Sequence, residues 1–169
     1  HLTEADELGE VGLDYKWATT AAEQAFQEEV LERQLDLAVR HRKPINLHSR
    51  RCLRQTMEKA IEFRRRSGLK AQLHWFTQSK KLVRICNEEG IYVSVGPTVI
   101  GHEQTQDVAK EISAELLLLE TDAPVPVGGE KGHPQRLRQV AECLAGLRGC
   151  SWQDVAELSG ANFARFMGW

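Results

Sequence analysis

The chain has 169 residues, enough for one domain with a sizeable core. Hydrophobic residues at 41% and charged residues at 27% are ordinary soluble globular values, which sets aside fibrous, disordered and membrane-embedded classes. With 22 basic and 24 acidic residues the formal charge is −2, so a polyanion would have to be met by a local patch or by bound cations, not by bulk charge.

Strand and helix signals alternate along the chain. Residues 7–13 read as a short strand. Thr20-Ala21-Ala22-Glu23 is a capping box opening a long helix, with Phe26, Val30, Leu31, Leu35 and Ala38 on its apolar stripe. Pro44 ends that helix, and residues 44–48 form the next strand. Residues 52–66 are helical, with Leu53, Met57, Ala60, Ile61 and Phe63 mostly inward and Ser67-Gly68 as the stop. A third strand covers 70–74 and a helix 79–89, closed by Gly90. Residues 91–95 are a strand apolar on both faces, as a covered parallel sheet requires. A weaker helix spans 103–112, and the most hydrophobic strand spans 115–121. After a Pro- and Gly-rich stretch at 124–134, helices are predicted at 135–147, 151–158 and 161–167, with Ser151 and Ser159 as caps.

The four cysteines, Cys52, Cys86, Cys143 and Cys150, form no Cys-x-x-Cys pair, and buried or half-buried free thiols are expected. The N-terminus has neither a basic nor an apolar segment of a secretory leader, and Leu116 to Leu119 is too short to span a bilayer. The expectation is a cytoplasmic protein with no membrane partner.

Right-handed crossovers turn this βα succession into a parallel sheet, either an open doubly wound one or part of a barrel. Four strand ends each deliver a residue type that binds divalent metals. They are Glu10 in Gly9-Glu10-Val11-Gly12-Leu13-Asp14, His48 in Asn46-Leu47-His48-Ser49-Arg50, His74 in Gln72-Leu73-His74-Trp75-Phe76, and Asp122 in Leu119-Glu120-Thr121-Asp122-Ala123-Pro124. A solitary strand-end histidine is more often structural, and Asp122 alone reads as a turn aspartate. Glu10, however, lies in an apolar, glycine-rich strand, where a carboxylate is costly unless paired or coordinated. Parallel strands bring their C-terminal ends to one face, so a single metal site explains all four positions together.

These motifs resemble the TatD family of metal-dependent deoxyribonucleases, TIM barrels of the amidohydrolase superfamily. The resemblance runs from Gly9-Glu10-x-Gly12-Leu13-Asp14 to Asn162-Phe163-Ala164-Arg165-Phe166, with Trp75 where a cysteine is more common. It implies a (β/α)8 barrel of which this chain carries about the last five βα units, forming one domain over 1–169 that is incomplete at its N-terminus. It implies two divalent ions (Zn, Mg, Mn or Ni). Glu10 would bridge them, His48 and His74 would complete one shell, and Asp122 would bind the other ion and orient or deprotonate the attacking water. DNA, single-stranded or at its ends, is the implied substrate, with Asp14, Arg50, Arg51 and Trp75 as substrate contacts.

Two departures bear on this. The family begins with a strand carrying His-x-His, a motif not found in these residues, so the remaining barrel strands are expected from a preceding segment or another chain. The family's Arg-Asn-x-Pro segment is replaced here by Gly128-Gly129-Glu130-Lys131-Gly132-His133-Pro134, with His133 read as a surface residue. Arg50, Arg51 and Arg54 stand at a helix N-terminus, which disfavours cations, so phosphate contact competes with simple salt bridging. Trp75 could stack on a base or pack in the barrel. Arg64-Arg65-Arg66 and Lys80-Lys81 read as solvated faces, and His41 and His102 as surface residues. The competing functions are an amidohydrolase-type enzyme for a small phosphoester, lactone or amide, and an inactive metal-binding or interaction module.

Overall fold

The structure, a computed structural model, describes residues 2–169 and divides into two compact units that meet in sequence between His74 and Trp75. In the first, β1 (Leu8–Asp14), β2 (Ile45–Arg50) and β3 (Ala71–Leu73) run parallel in chain order, joined by α1 (Ala21–His41) and α2 (Leu53–Ser67). Alternation along the strands separates two faces. Val11, Leu13, Ile45, Leu47, Ala71 and Leu73 are buried with Leu31, Leu35 and Ala38 of α1 and Met57, Ala60 and Phe63 of α2. The opposite face presents Gly12, Asp14, Asn46, His48, Gln72 and His74.

The second unit contains α3 (Lys80–Glu89), β4 (Tyr92–Val95), α4 (Glu103–Glu111), β5 (Leu117–Leu119), α5 (Arg136–Arg148) and α6 (Trp152–Met167). β4 and β5 are parallel, with Val93, Ser94 and Val95 opposite Leu117, Leu118 and Leu119. Tyr92, Leu116, Leu118 and Phe166 form a buried cluster in which the Tyr92 and Phe166 rings meet edge to face at 5.3 Å. The molecule is therefore α/β, with five strands each followed by helix.

Three expectations need correction. The helices foreseen at 151–158 and 161–167 are one continuous helix, α6, and Ser159 is not a cap: its hydroxyl accepts the Leu119 N–H at 3.1 Å. A buried acceptor for an edge-strand amide outweighs the cost of Gly160 in mid-helix. The last strand is shorter than 115–121, because Ala114–Leu116 forms a 3-10 turn instead. The buried Asn162 side chain donates to Ala114 O and Leu117 O, both at 2.7 Å, and holds the chain in that turn. Finally, Phe26 and Val30 are exposed, at 65% and 38%. At 3.6 residues per turn they lie roughly 100–180° around α1 from Leu31 and Leu35. The α1 flank facing α2 is ionic, with Lys59 2.6 Å from Glu32 and Arg66 3.0 Å from Asp36. Arg66 is thus engaged in an ion pair.

Candidate metal centre

Glu10 reaches its position through an irregularity in β1. Leu8 pairs with Ile45 and Val11 with Leu47, so two residues, Gly9 and Glu10, oppose Asn46 alone. Such a bulge re-aims a side chain without ending the strand. Beyond it Gly12 sits directly opposite His48, and the approach is so close that a Cβ at Gly12 would lie 2.0 Å from His48 O. His48 projects from β2. His74 follows β3 and is tied to β2 by its N–H donating to Leu47 O at 3.1 Å.

These three side chains converge. Glu10 Oε1 lies 2.9 Å from His48 Nδ1 and 2.6 Å from His74 Nε2, and the two ring nitrogens are 3.3 Å apart. Ligands at 2.0–2.1 Å around a tetrahedral ion stand roughly 3.3 Å from one another, so a small outward adjustment would admit a divalent cation. The donor set fits as well. One carboxylate and two imidazole nitrogens aimed at one point suit Zn²⁺ and similar ions. Glu10 is the accessible member, at 45% side-chain exposure, while His74 is nearly enclosed, at 6%.

The other residues expected at the site are divided between the two units. Asp14 ends β1 and places Oδ2 3.1 Å from His48 Nε2. Arg50 closes β2 and Arg51 follows it with φ 64°, both exposed. Trp75, half-buried with φ 49°, comes directly after His74. Asp122 follows β5 in the second unit with φ 48°, and its carbonyl accepts the Val125 N–H at 2.9 Å. His133 is exposed, its Nδ1 accepting the Gln135 N–H at 3.2 Å. The replaced loop is closed by Val127 pairing with Glu130 and by Arg136, whose guanidinium donates to Val127 O at 3.2 Å.

Two residues of consequence were not singled out from the sequence. Glu120 accepts hydrogen bonds from the Trp75 N–H and, at 2.8 Å, from the Ser94 hydroxyl, and so braces the backbone just past His74. Its signal was present: a carboxylate ending a run of four leucines, the oddity that marked Glu10. Gln27 of α1 bonds the backbone of Asp14, and nothing in a helix rich in Glu and Gln distinguished it.

A family model for TatD-related DNases matches residues 1–168. The chain belongs to this family. Two relatives illustrate the likeness. The uncharacterized metal-dependent hydrolase YabD of Bacillus subtilis is 30% identical over 94% of this chain and 63% of its own length. The deoxyribonuclease TATDN3 of Homo sapiens is 32% identical over 92% of this chain and 57% of its own. The chain thus spans less than two thirds of the curated relatives it matches. Among solved structures, the TatD homologue YJJV of Escherichia coli K12 superposes with a TM-score of 0.84 at 26% identity, covering 96% of this chain and 64% of that one. The TatD barrel is therefore the fold to which these five βα units correspond.

Proposed function

We propose that this TatD-family chain serves a divalent-metal-dependent hydrolase that cleaves phosphodiester bonds in DNA, at single strands or ends. The observation that carries the reading is the convergence of Glu10, His48 and His74, whose ligand atoms all lie within 4.8 Å of one another. A divalent ion (Zn, Mg, Mn or Ni) held there would supply Lewis-acid polarisation of a phosphoryl oxygen and acidify a water. The chain's own groups do the rest. Glu10, the open carboxylate, would also be available to a second ion. Asp122 would help to hold that ion, orient the attacking water and take its proton. Arg50 and Arg51 meet the phosphates, and Trp75 offers a face to a base. In the same reading residues 1–169 form one domain of a (β/α)8 barrel, with its other strands contributed by a preceding segment or another chain. The share of length covered in the relatives supports this. A cytoplasmic location belongs to the reading too, supported by four free cysteines. Among the described residues no helix is long and apolar enough to cross a membrane.

The test is zinc titration of the 169-residue chain together with turnover of single-stranded DNA by the complete enzyme, with and without chelator. About one tight zinc per chain, abolished in Glu10→Ala and His74→Ala, and chelator-sensitive cleavage are expected. Cleavage unchanged in excess chelator would overturn the mechanism. Turnover of small esters or amides but not DNA would favour the small-substrate reading. Native protein of 19.1 kDa that is monomeric and unfolds cooperatively would exclude the contributed strands.

A further inference from the structure

We propose that Asp14 is a positioning residue for His48, and that Gln27 on α1 holds Asp14 in that role. This rests on the reading that Glu10, His48 and His74 bind a divalent ion.

A neutral imidazole has one N–H and one lone pair, and only the lone pair can ligate. His48 has an acceptor at each nitrogen. Nδ1 faces Glu10 Oε1 and His74 Nε2 within the cluster, and Nε2 faces Asp14 Oδ2 at 3.1 Å. The nitrogen inside the cluster must carry the lone pair, so the hydrogen belongs on Nε2 and is donated to Asp14. A carboxylate at that point selects the tautomer and fixes the ring plane.

The geometry around Asp14 shows a residue occupied on every other side. Its N–H donates to Gln27 Oε1 at 2.9 Å, and its carbonyl accepts from Gln27 Nε2 at 3.3 Å, so one side-chain amide grips the peptide at two points. The same carbonyl accepts from Ala18 N at 3.0 Å, and Oδ1 accepts from Lys16 N at 2.9 Å. Only Oδ2 is left to act outward, and it is aimed at His48. The next residue is held as firmly: Tyr15 N–H donates to Arg50 O at 2.9 Å, and its hydroxyl to Glu28 Oε1 at 2.6 Å. A carboxylate this constrained serves its neighbour's ring, not a passing substrate phosphate, whose charge it would repel. The line of support runs from α1 through Gln27 and Asp14 to His48 Nε2, and through the ring to Nδ1.

The test measures zinc affinity of the 169-residue chain by competition with a chelating dye, and reads the histidine tautomer by long-range ¹H–¹⁵N correlation. In the zinc-loaded wild type, His48 should show a slowly exchanging Nε2–H. Asp14→Ala should weaken zinc by about 10–100-fold and lose that signal, the usual scale for removing such an outer partner. Gln27→Ala should weaken zinc several-fold, with faster exchange of the Nε2–H. Asp14→Ala that binds zinc as the wild type does, or a His48 hydrogen on Nδ1, overturns the proposal. If Asp14→Ala does not fold, Gln27→Ala decides alone, since it leaves the carboxylate in place: wild-type affinity and exchange in that variant overturn the proposal. The two readings fail differently. If zinc binding needs Glu10 and His74 but not Asp14, only the positioning role falls. If the wild type takes no zinc, or His74→Ala binds it equally well, the ion-binding reading falls and this proposal with it.

Discussion

Gly12 shows how little room the centre leaves. A methyl there would collide with His48 O at 2.0 Å, and the colliding atom is backbone that belongs to a strand. Gly12→Ala must therefore push β2 away from β1 or unfold the unit. The expected loss is roughly 2–4 kcal/mol in chemical denaturation, with zinc binding lost as well, since His48 moves with its strand. Glu120 is the corresponding case for a carboxylate. Glu120→Ala deprives the Trp75 N–H and the buried Ser94 hydroxyl of a shared acceptor and should cost about 1–3 kcal/mol, whereas Glu120→Gln keeps an oxygen in place and should cost less. Equal midpoints for the two variants would show that the brace carries no energy. Both residues sit in motifs that the sequence made visible. What each touches lies far off along the chain: 36 residues away for Gly12, and 45 for Glu120 at its bond to Trp75.

At the scale of elements, the helix starts were the most legible features. Thr20 and Glu23 make the capping box that opens α1, and Ser151 and Asp154 make another at α6. Backbone N–H donors at Thr20, then Thr19, hold the Glu23 carboxyl below its ordinary value of 4.5, and the Ser151 hydroxyl first, then its N–H, hold Asp154 below 3.8. Because the folded-state values are depressed, the stabilisation is complete above those ordinary values and disappears as pH falls through the lower folded-state ones. Urea midpoints should therefore decline as the solution is acidified below about pH 4.5. Glu23→Gln and Asp154→Asn, which remove the titrating carboxyls themselves, should flatten that decline. An unchanged acid profile in the double variant would remove the boxes as its cause. The apolar stripe of α1 departs from its expected course for a different reason. A period of 3.6 identifies which residues share a face, but two apolar faces compete in this helix, and only the sheet beneath decides which is covered.

For the whole molecule, the candidate ion ligands and the group proposed as base fall in different units. The ligand cluster lies in the unit ending at His74, and Asp122 lies in the unit beginning at Trp75. On the proposed reading, Asp122→Asn should lower turnover by roughly 10²-fold or more while any zinc held by Glu10, His48 and His74 is retained. Metal analysis and kinetics on the same preparation check this, and wild-type turnover with full metal would leave Asp122 a turn residue. Global stability can be followed through the thiols. Cys86 is fully buried, and burial pushes its thiol up to about 12, whereas Cys150 is exposed. A thiol reagent should modify Cys150 at once in the native protein and reach Cys86 only on unfolding.

The sequence by itself determined the α/β class and the candidate ligands Glu10, His48, His74 and Asp122. Both are local signals: period-two and period-3.6 patterning, and a polar residue where an apolar strand ends. Within the first unit the parallel strands β1, β2 and β3 put Glu10, His48 and His74 on one side. Tertiary structure alone decided that Glu10, His48 and His74 meet within hydrogen-bonding distance, which nitrogen of His48 faces the cluster, and that Gln27 grips Asp14. It also decided that α6 continues through Ser159 and Gly160. Those outcomes depend on contacts between elements, where a bulge of one residue or a turn of about 100° in a helix changes the partner without altering the local pattern.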